Sequence, residues 1–253
     1  MKKIILITGA TSGIGEATAI KLAKKGHRLI LCGRRKEKLA TLIESLSSLT
    51  HVMTLCFDVR NSDDVFQRIN SLPESWKNID VLINNAGNAH GFSPIYEGLT
   101  EDWNAMIDGN VKGVLYLSKA IIPQMIRRKS GHIINISSIA GKETYENGAV
   151  YCASKKAVEA LSEGMRLDLS KHLIKVSNVA PGAVETEFSM VRFKGDLDKS
   201  TRIYQGYDAL KAYDIADLID YLIHAPKRVN ISDVTILPSA QSSASIIHKK
   251  KQY

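Results

Sequence analysis

Lys3-Ile4-Ile5-Leu6-Ile7-Thr8 runs straight into Gly9-Ala10-Thr11-Ser12-Gly13-Ile14-Gly15, and the reading of this chain turns on that junction. The first part is a short apolar run rich in Ile and bounded by Gly, which predicts a buried parallel strand. After the glycines, Ala17, Ile20, Leu22 and Ala23 recur with helical spacing until Gly26. Strand, glycine loop and helix in succession present backbone N–H groups and a helix N-terminus to phosphate. The spacing is G-x-x-x-G-x-G rather than G-x-G-x-x-G. Three glycines could serve only a tight turn. The strand before them and the helix after them favour a phosphate cradle.

The next run, Arg28 to Cys32, predicts a second strand and ends at Gly33-Arg34-Arg35. An NAD site usually places an acid here to grip the ribose 2′-hydroxyl. A small Gly and two Arg stand there instead. They leave room and supply a planar fork for a 2′-phosphate, which points to NADP.

Outward from there, strands and helices alternate. Lys36 to Leu49 is helical in pattern, Val52 to Phe57 is a strand ending at Asp58-Val59, and Asn61-Ser62-Asp63-Asp64 caps a helix. Ile79 to Ile83 is a strand running into Asn84-Asn85-Ala86-Gly87. Thr100 predicts the N-cap of a long helix through about Met125. Asn110 interrupts that helix's apolar pattern and reads as solvent-facing. His132 to Ile136 is a strand with Ser137-Ser138 at its end, and Val150 to about Ser170 is a helix. Ile174 to Val179 is a strand ending at Ala180-Pro181-Gly182, Asp214 to Leu222 a helix, and Asp233 to Leu237 a last strand. This alternation means α/β: a doubly wound, mostly parallel sheet of about seven strands with helices on both faces, in one domain over 1–253. Residues 185–213 break the rhythm. They hold Phe188, Arg192, Phe193, Lys194, Tyr204 and Tyr207, which suit a lid over an acidic substrate.

Tyr151-Cys152-Ala153-Ser154-Lys155 places a phenol and an ammonium one helical turn apart, on the same face. A free Tyr titrates near ~10, and a neighbouring cation draws it down toward working pH. Such a phenol can pass a proton to and from a carbonyl oxygen. Lys155 could instead form an exposed couple with Glu159.

The 253 residues carry a net charge of +8 in small scattered clusters, none interleaved with aromatics, so small anions are expected as partners rather than nucleic acid. Cys32, Cys56 and Cys152 are odd in number and show no metal spacing, so reduced thiols in the cytoplasm and no metal are expected. No run approaches the ~20 apolar residues of a membrane span.

Thr8-Gly9-x-x-x-Gly13-x-Gly15, Asn84-Asn85-Ala86-Gly87, Ser138, Tyr151-x-x-x-Lys155 and Pro181-Gly182 occur in the order and spacing of the short-chain dehydrogenase/reductases, which the chain resembles over nearly its whole length. Ser71 to Trp76, Thr186 to Asp196 and Pro226 to Ile231 are similar to the NADP-dependent 3-hydroxy acid dehydrogenase group. The resemblance implies a Rossmann-type fold and a cytoplasmic homotetramer acting on serine, L-allo-threonine or malonic semialdehyde. It implies that Tyr151 is the acid/base and that Lys155 binds the nicotinamide ribose and depresses Tyr151. Ser138 would hold the substrate oxygen, and Asn110 would hold a water of a proton relay. Gly9, Thr11, Ser12, Gly13, Ile14, Gly15, Arg34, Arg35, Asp58, Val59, Asn85, Ala86, Gly87, Pro181, Gly182, Val184 and Thr186 would bind the cofactor, with Tyr151 and Lys155. Arg192 or Lys194 is expected to hold a substrate carboxylate. Three other readings stay open: a reductase of 3-oxoacyl thioesters, a reductase of bulky ketones, and a non-catalytic NADP sensor. His90 reads as a loop residue and the tail Lys249-Lys250-Lys251 as solvated.

Overall fold

Ile4 and Leu6 face one apolar core and Ile5 and Ile7 the other, all of them buried. That two-sided burial requires helices on both faces of the first strand, and the computed structural model, which describes residues 2–250, shows them. The strands are β1 (Ile4–Thr8), β2 (Arg28–Gly33), β3 (Val52–Cys56), β4 (Val81–Asn84), β5 (Gly131–Ile136), β6 (Ile174–Pro181), β7 (Val184–Glu185), β8 (Leu210–Lys211) and β9 (Asp233–Ile236). Seven of them form one parallel sheet in the order β3-β2-β1-β4-β5-β6-β9. The order reverses between β1 and β4, and at such a switch point the connections part and open a crevice beyond the strand ends.

The helices α1 (Gly13–Lys24), α2 (Lys36–Leu46), α3 (Ser62–Asn70), α4 (Glu74–Lys77), α5 (Thr100–Ile107), α6 (Gly113–Arg128), α7 (Ile139–Lys142), α8 (Ala149–Leu169), α9 (Phe188–Arg192), α10 (Leu197–Arg202) and α11 (Ala212–His224) fill the connections. Leu22 of α1, Leu39 and Leu42 of α2 and Ile215 and Ile219 of α11 cover one face. Val65 of α3, Leu117 and Ile121 of α6 and Val158 and Met165 of α8 cover the other. None of the described helices is long and apolar enough to cross a membrane.

Two expectations are corrected here. Thr100 is the first residue of α5, with Leu99 at the N-cap, and its hydroxyl turns to Glu101 at 3.3 Å. The long helix is interrupted by a π-helical turn at Asp108–Lys112, and Asn110 in that turn is 1% exposed rather than solvent-facing. Its side chain is inward because it has partners there, given below. The tail is solvated as expected, with Lys249 and Lys250 exposed, and two bonds fasten it: Lys250 N–H donates to Gly206 O at 2.7 Å and Lys249 Nζ to Arg202 O at 3.0 Å. Lys251 lies outside the described residues.

Residues 185–213 leave the sheet and return to it through the β7–β8 pair, which joins Val184 to Leu210 and Glu185 to Lys211. Tyr204 ties the excursion together, its hydroxyl donating to Val184 O at 3.0 Å and lying 2.7 Å from Ser189 Oγ.

Candidate active site

A cleft of about 690 Å³ opens beyond the C-terminal ends of β1, β4, β5 and β6. At its floor, Gly9 and Gly13 take φ of +63° and +54°, a region that L side chains rarely adopt. Ser12 makes no side-chain cap bond to α1, which leaves the first N–H groups of that helix without a cap beside the cleft among the described residues. Gly15 does not line the cleft; a Cβ there would stand 2.3 Å from Gly9 O, so this glycine lets α1 pack under the loop. The loop is held from β4. Thr8 Oγ1 accepts from Asn85 N–H at 3.0 Å and Ala86 N–H at 2.9 Å, and Asn85 Nδ2 donates to Thr8 O at 2.9 Å.

The adenine end is cationic. Arg34 stands 3.6 Å from Asp58 Oδ2, and Asp58 also receives both Nε and Nη2 of Arg60. Arg35 donates to Thr11 Oγ1 and Thr11 O at 3.1–3.2 Å. With no acid at the end of β2 and two guanidiniums beside the cradle, these residues fit a dinucleotide bearing a 2′-phosphate.

At the other end α8 brings Tyr151 and Lys155 beside Ser138. Both Tyr151 and Lys155 are buried. Lys155 Nζ donates to Ile136 O at 2.9 Å and does not pair with Glu159, which takes Lys142 instead. Burial pushes Lys155 down to about 8, Glu159 pulling weakly the other way. Burial also pushes the Tyr151 phenol up, helped by Tyr145, while Arg192 and Ser138 draw it down. Lys155, expected to depress Tyr151, is not among the groups that draw the phenol down here. The ammonium lies 6.0 Å from the Tyr151 ring centre, and the cost of a buried phenolate dominates.

Asn110 fixes the loop after β4 to α8. Its Oδ1 accepts from Asn88 N–H at 2.8 Å, and its Nδ2 donates to Asn88 O at 2.8 Å and to Ser154 Oγ at 2.9 Å. Ser154 in turn donates to Tyr151 O at 2.7 Å.

Arg192 and Lys194 part company. Lys194 lies outside the cleft, 2.9 Å from Asp102. Arg192 lines it, 9% exposed, with its guanidinium carbon 5.0–5.6 Å from the ring centres of Phe92, Tyr145, Tyr151 and Phe188. It donates to the Tyr145 hydroxyl, and its Nε is buried without a partner among the described residues. Phe188 of the expected lid lines the cleft as well. Tyr145, Gln241, Ala244, Ser245 and Ile247 also line it and escaped the sequence reading, as did Glu187. No local pattern marks them, because each is brought in by a connection with no regular period. The other expected residues, Gly9, Thr11, Ser12, Gly13, Ile14, Arg34, Arg35, Asp58, Val59, Asn85, Ala86, Gly87, Asn110, Ser138, Tyr151, Lys155, Pro181, Gly182, Val184 and Thr186, all line it. His90 lines it too, held below its ordinary value chiefly by burial.

Residues 3–196 match the family model described as short chain dehydrogenase. The NADP-dependent 3-hydroxy acid dehydrogenase YdfG of Salmonella typhi is 42% identical over 248 residues, which is 97% of this chain and 99% of that one. Sulfoacetaldehyde reductase 2 of Chromohalobacter salexigens is 40% identical over 243 residues, 96% of each. A solved closed form of serine dehydrogenase complexed with NADP+ is 40% identical, with a TM-score of 0.92 over 98% of this chain and 100% of that one. This likeness runs through the sheet, the glycine cradle and the helix that carries Tyr151 and Lys155, and the chain belongs to the short-chain dehydrogenase family.

Proposed function

We propose that this enzyme uses NADP to interconvert a small 3-hydroxy acid and its 3-oxo form, the substrate being of the serine, L-allo-threonine, 3-hydroxyisobutyrate or 3-hydroxypropionate type. The observation that carries the substrate class is Arg192. A guanidinium that is nine-tenths buried, walled by four aromatic rings and left with an unpartnered Nε beside Tyr151 is costly to keep unless an anion completes it. A carboxylate two carbons from the reacting carbon meets that need. A plain ketone or an acyl thioester has no such charge to offer.

When bound, the nicotinamide supplies or accepts the hydride at its C4. Gly9, Thr11, Ser12, Gly13 and Ile14 would hold the phosphates, and Arg34 and Arg35 the 2′-phosphate. Asp58 and Val59 would flank the adenine, and Asn85, Ala86, Gly87, Pro181, Gly182, Val184 and Thr186 would line the rest of the path. Tyr151 gives its hydroxyl proton to the substrate oxygen in reduction and takes it back in oxidation. Burial favours the protonated phenol, which suits Tyr151 to the acid role in reduction. Ser138 donates to the same oxygen as charge develops there. Lys155 holds the ribose and supports the phenolate electrostatically. The Nδ2 hydrogens of Asn110 are both spent, so a relay water at this residue would rest on its main-chain carbonyl. Residues 185–213 act as the lid that seals Arg192 and Phe188 over the substrate. The family resemblance supports a cytoplasmic homotetramer, which sedimentation of the purified protein would test.

A screen of NADP+ reduction, followed by absorbance, compares these hydroxy acids with neutral alcohols of equal size. The hydroxy acids should turn over faster. Equal or faster neutral alcohols would remove the substrate assignment. Fastest turnover of 2-hydroxyethanesulfonate would keep the Arg192 site and change its anion to a sulfonate, in line with the relative named for sulfoacetaldehyde.

A further inference from the structure

Glu187 belongs to the excursion after β6, yet its carboxylate sits at the opposite, adenine end of the cleft. Its Oε2 accepts from Arg35 Nη1 at 2.8 Å and its Oε1 from Lys38 Nζ at 2.7 Å. Arg35 Nε and Nη2 are taken by Thr11, so Nη1 is the part of the fork that meets Glu187. Arg35, Thr11 and Glu187 all line the cleft, next to the uncapped start of α1. An acid therefore fills the place where a 2′-phosphate is expected. Carboxylate and phosphate make the same kind of demand, oxygen atoms accepting from a guanidinium fork and an ammonium, and one N–H cannot serve both fully. Lys38 and Arg35 hold the Glu187 carboxyl down to about 2, so it is charged at any working pH.

We infer that Glu187 is a cofactor-selectivity residue, an internal anion that occupies Arg35 and Lys38 until a 2′-phosphorylated adenosine displaces it. The inference rests on the NADP reading above. Both partners and Glu187 itself are roughly half exposed, so their ion pairs are weak and exchange is easy. Glu187 immediately precedes α9, which carries Phe188 and Arg192 into the substrate end. Handing Arg35 and Lys38 to the 2′-phosphate thus unties the start of that helix from α2.

Calorimetric titration of the full chain with adenosine 2′,5′-bisphosphate and with 5′-AMP tests this without turnover. Glu187→Gln should bind the bisphosphate about two- to fivefold tighter, the scale of one exposed ion pair, and 5′-AMP no differently. The gain should shrink as salt is raised. Lys38→Gln should weaken bisphosphate binding more in the Glu187→Gln background than in the wild type, because in the wild type the ligand gains the ammonium only by breaking its pair with Glu187. Weaker bisphosphate binding by Glu187→Gln, an equal change for both ligands, or an equal effect of Lys38→Gln in both backgrounds would overturn the inference and leave Glu187 as a strut of the lid. Failure of the NADP reading itself looks different: the wild type would then bind the bisphosphate no better than 5′-AMP.

Discussion

Tyr151 carries two opposed demands. Burial keeps its proton on, and catalysis needs that proton to leave. Arg192 is one of the groups that draw the phenol down, and it does so across 5.0 Å to the ring. Tyr151→Phe removes the proton and leaves the cradle untouched. Turnover should fall about 10²–10⁴-fold while NADPH binding, read by fluorescence titration, stays nearly as in the wild type; retained turnover would refute the acid/base role. Arg192→Ala should lower kcat/KM for 3-hydroxy acids by about ten- to two-hundredfold, the worth of a charge-assisted hydrogen bond, with a smaller loss for neutral alcohols. The same variant lifts a cation away from the phenol. The Tyr151-linked limb of the pH–rate profile should therefore move to higher pH, and an unmoved limb would mean that Arg192 serves the substrate alone.

At the scale of elements, Asn110 shows what a residue-type rule misses. It stands four residues from both Met106 and Val114, so the helical period places it on the buried stripe although an isolated Asn usually faces water. The π turn at Asp108–Lys112 holds it there, where it pins Asn88 and Ser154. Asn110→Ala would strand the Asn88 N–H and C=O and the Ser154 hydroxyl away from water. We expect about 2 kcal/mol of lost stability, a Tm lower by several degrees in calorimetry, and a larger proportional loss of kcat than of cofactor affinity. α8 was legible because its apolar stripe and its Tyr151–Lys155 spacing both follow the helical period. The excursion between β6 and β9 was legible only as a break in the rhythm. Its return through the β7–β8 pair depends on backbone bonds between residues far apart in the chain.

For the whole molecule, the histidines at the far edge of the sheet set an acid limit. His27 is held at about 4, first by burial and then by His224, whose Nε2 is 3.4 Å away. His132 is held at about 3, chiefly by burial, with its Nε2 2.8 Å from Ser177 Oγ. The unfolded chain takes up these protons near pH 6.5, and the folded one only at the lower values. Protonation thus favours unfolding. Stability is full above about pH 6.5 and falls as the pH drops through the interval to 4 and below, by a few kcal/mol in all. Urea midpoints measured between pH 7 and 4 should show this decline, and His132→Asn should flatten it; a midpoint that rises on acidification would contradict the assignment.

The linear order of residues determined what depends on neighbours within a turn or a strand. It set the alternation of seven strands with their helices, the glycine cradle, the missing acid after β2, and the pairing of Tyr151 with Lys155. These are short-period or local features, and their physics is complete within a few residues. Tertiary structure decided which groups became neighbours across the fold. It sent Lys194 to Asp102 and Arg192 into an aromatic wall, turned Asn110 inward, and set Glu187 against Arg35, 152 residues away in the chain. It also decided the sign at Tyr151. A phenol's proton affinity depends on how much water it loses and which charges surround it, and both are properties of packing.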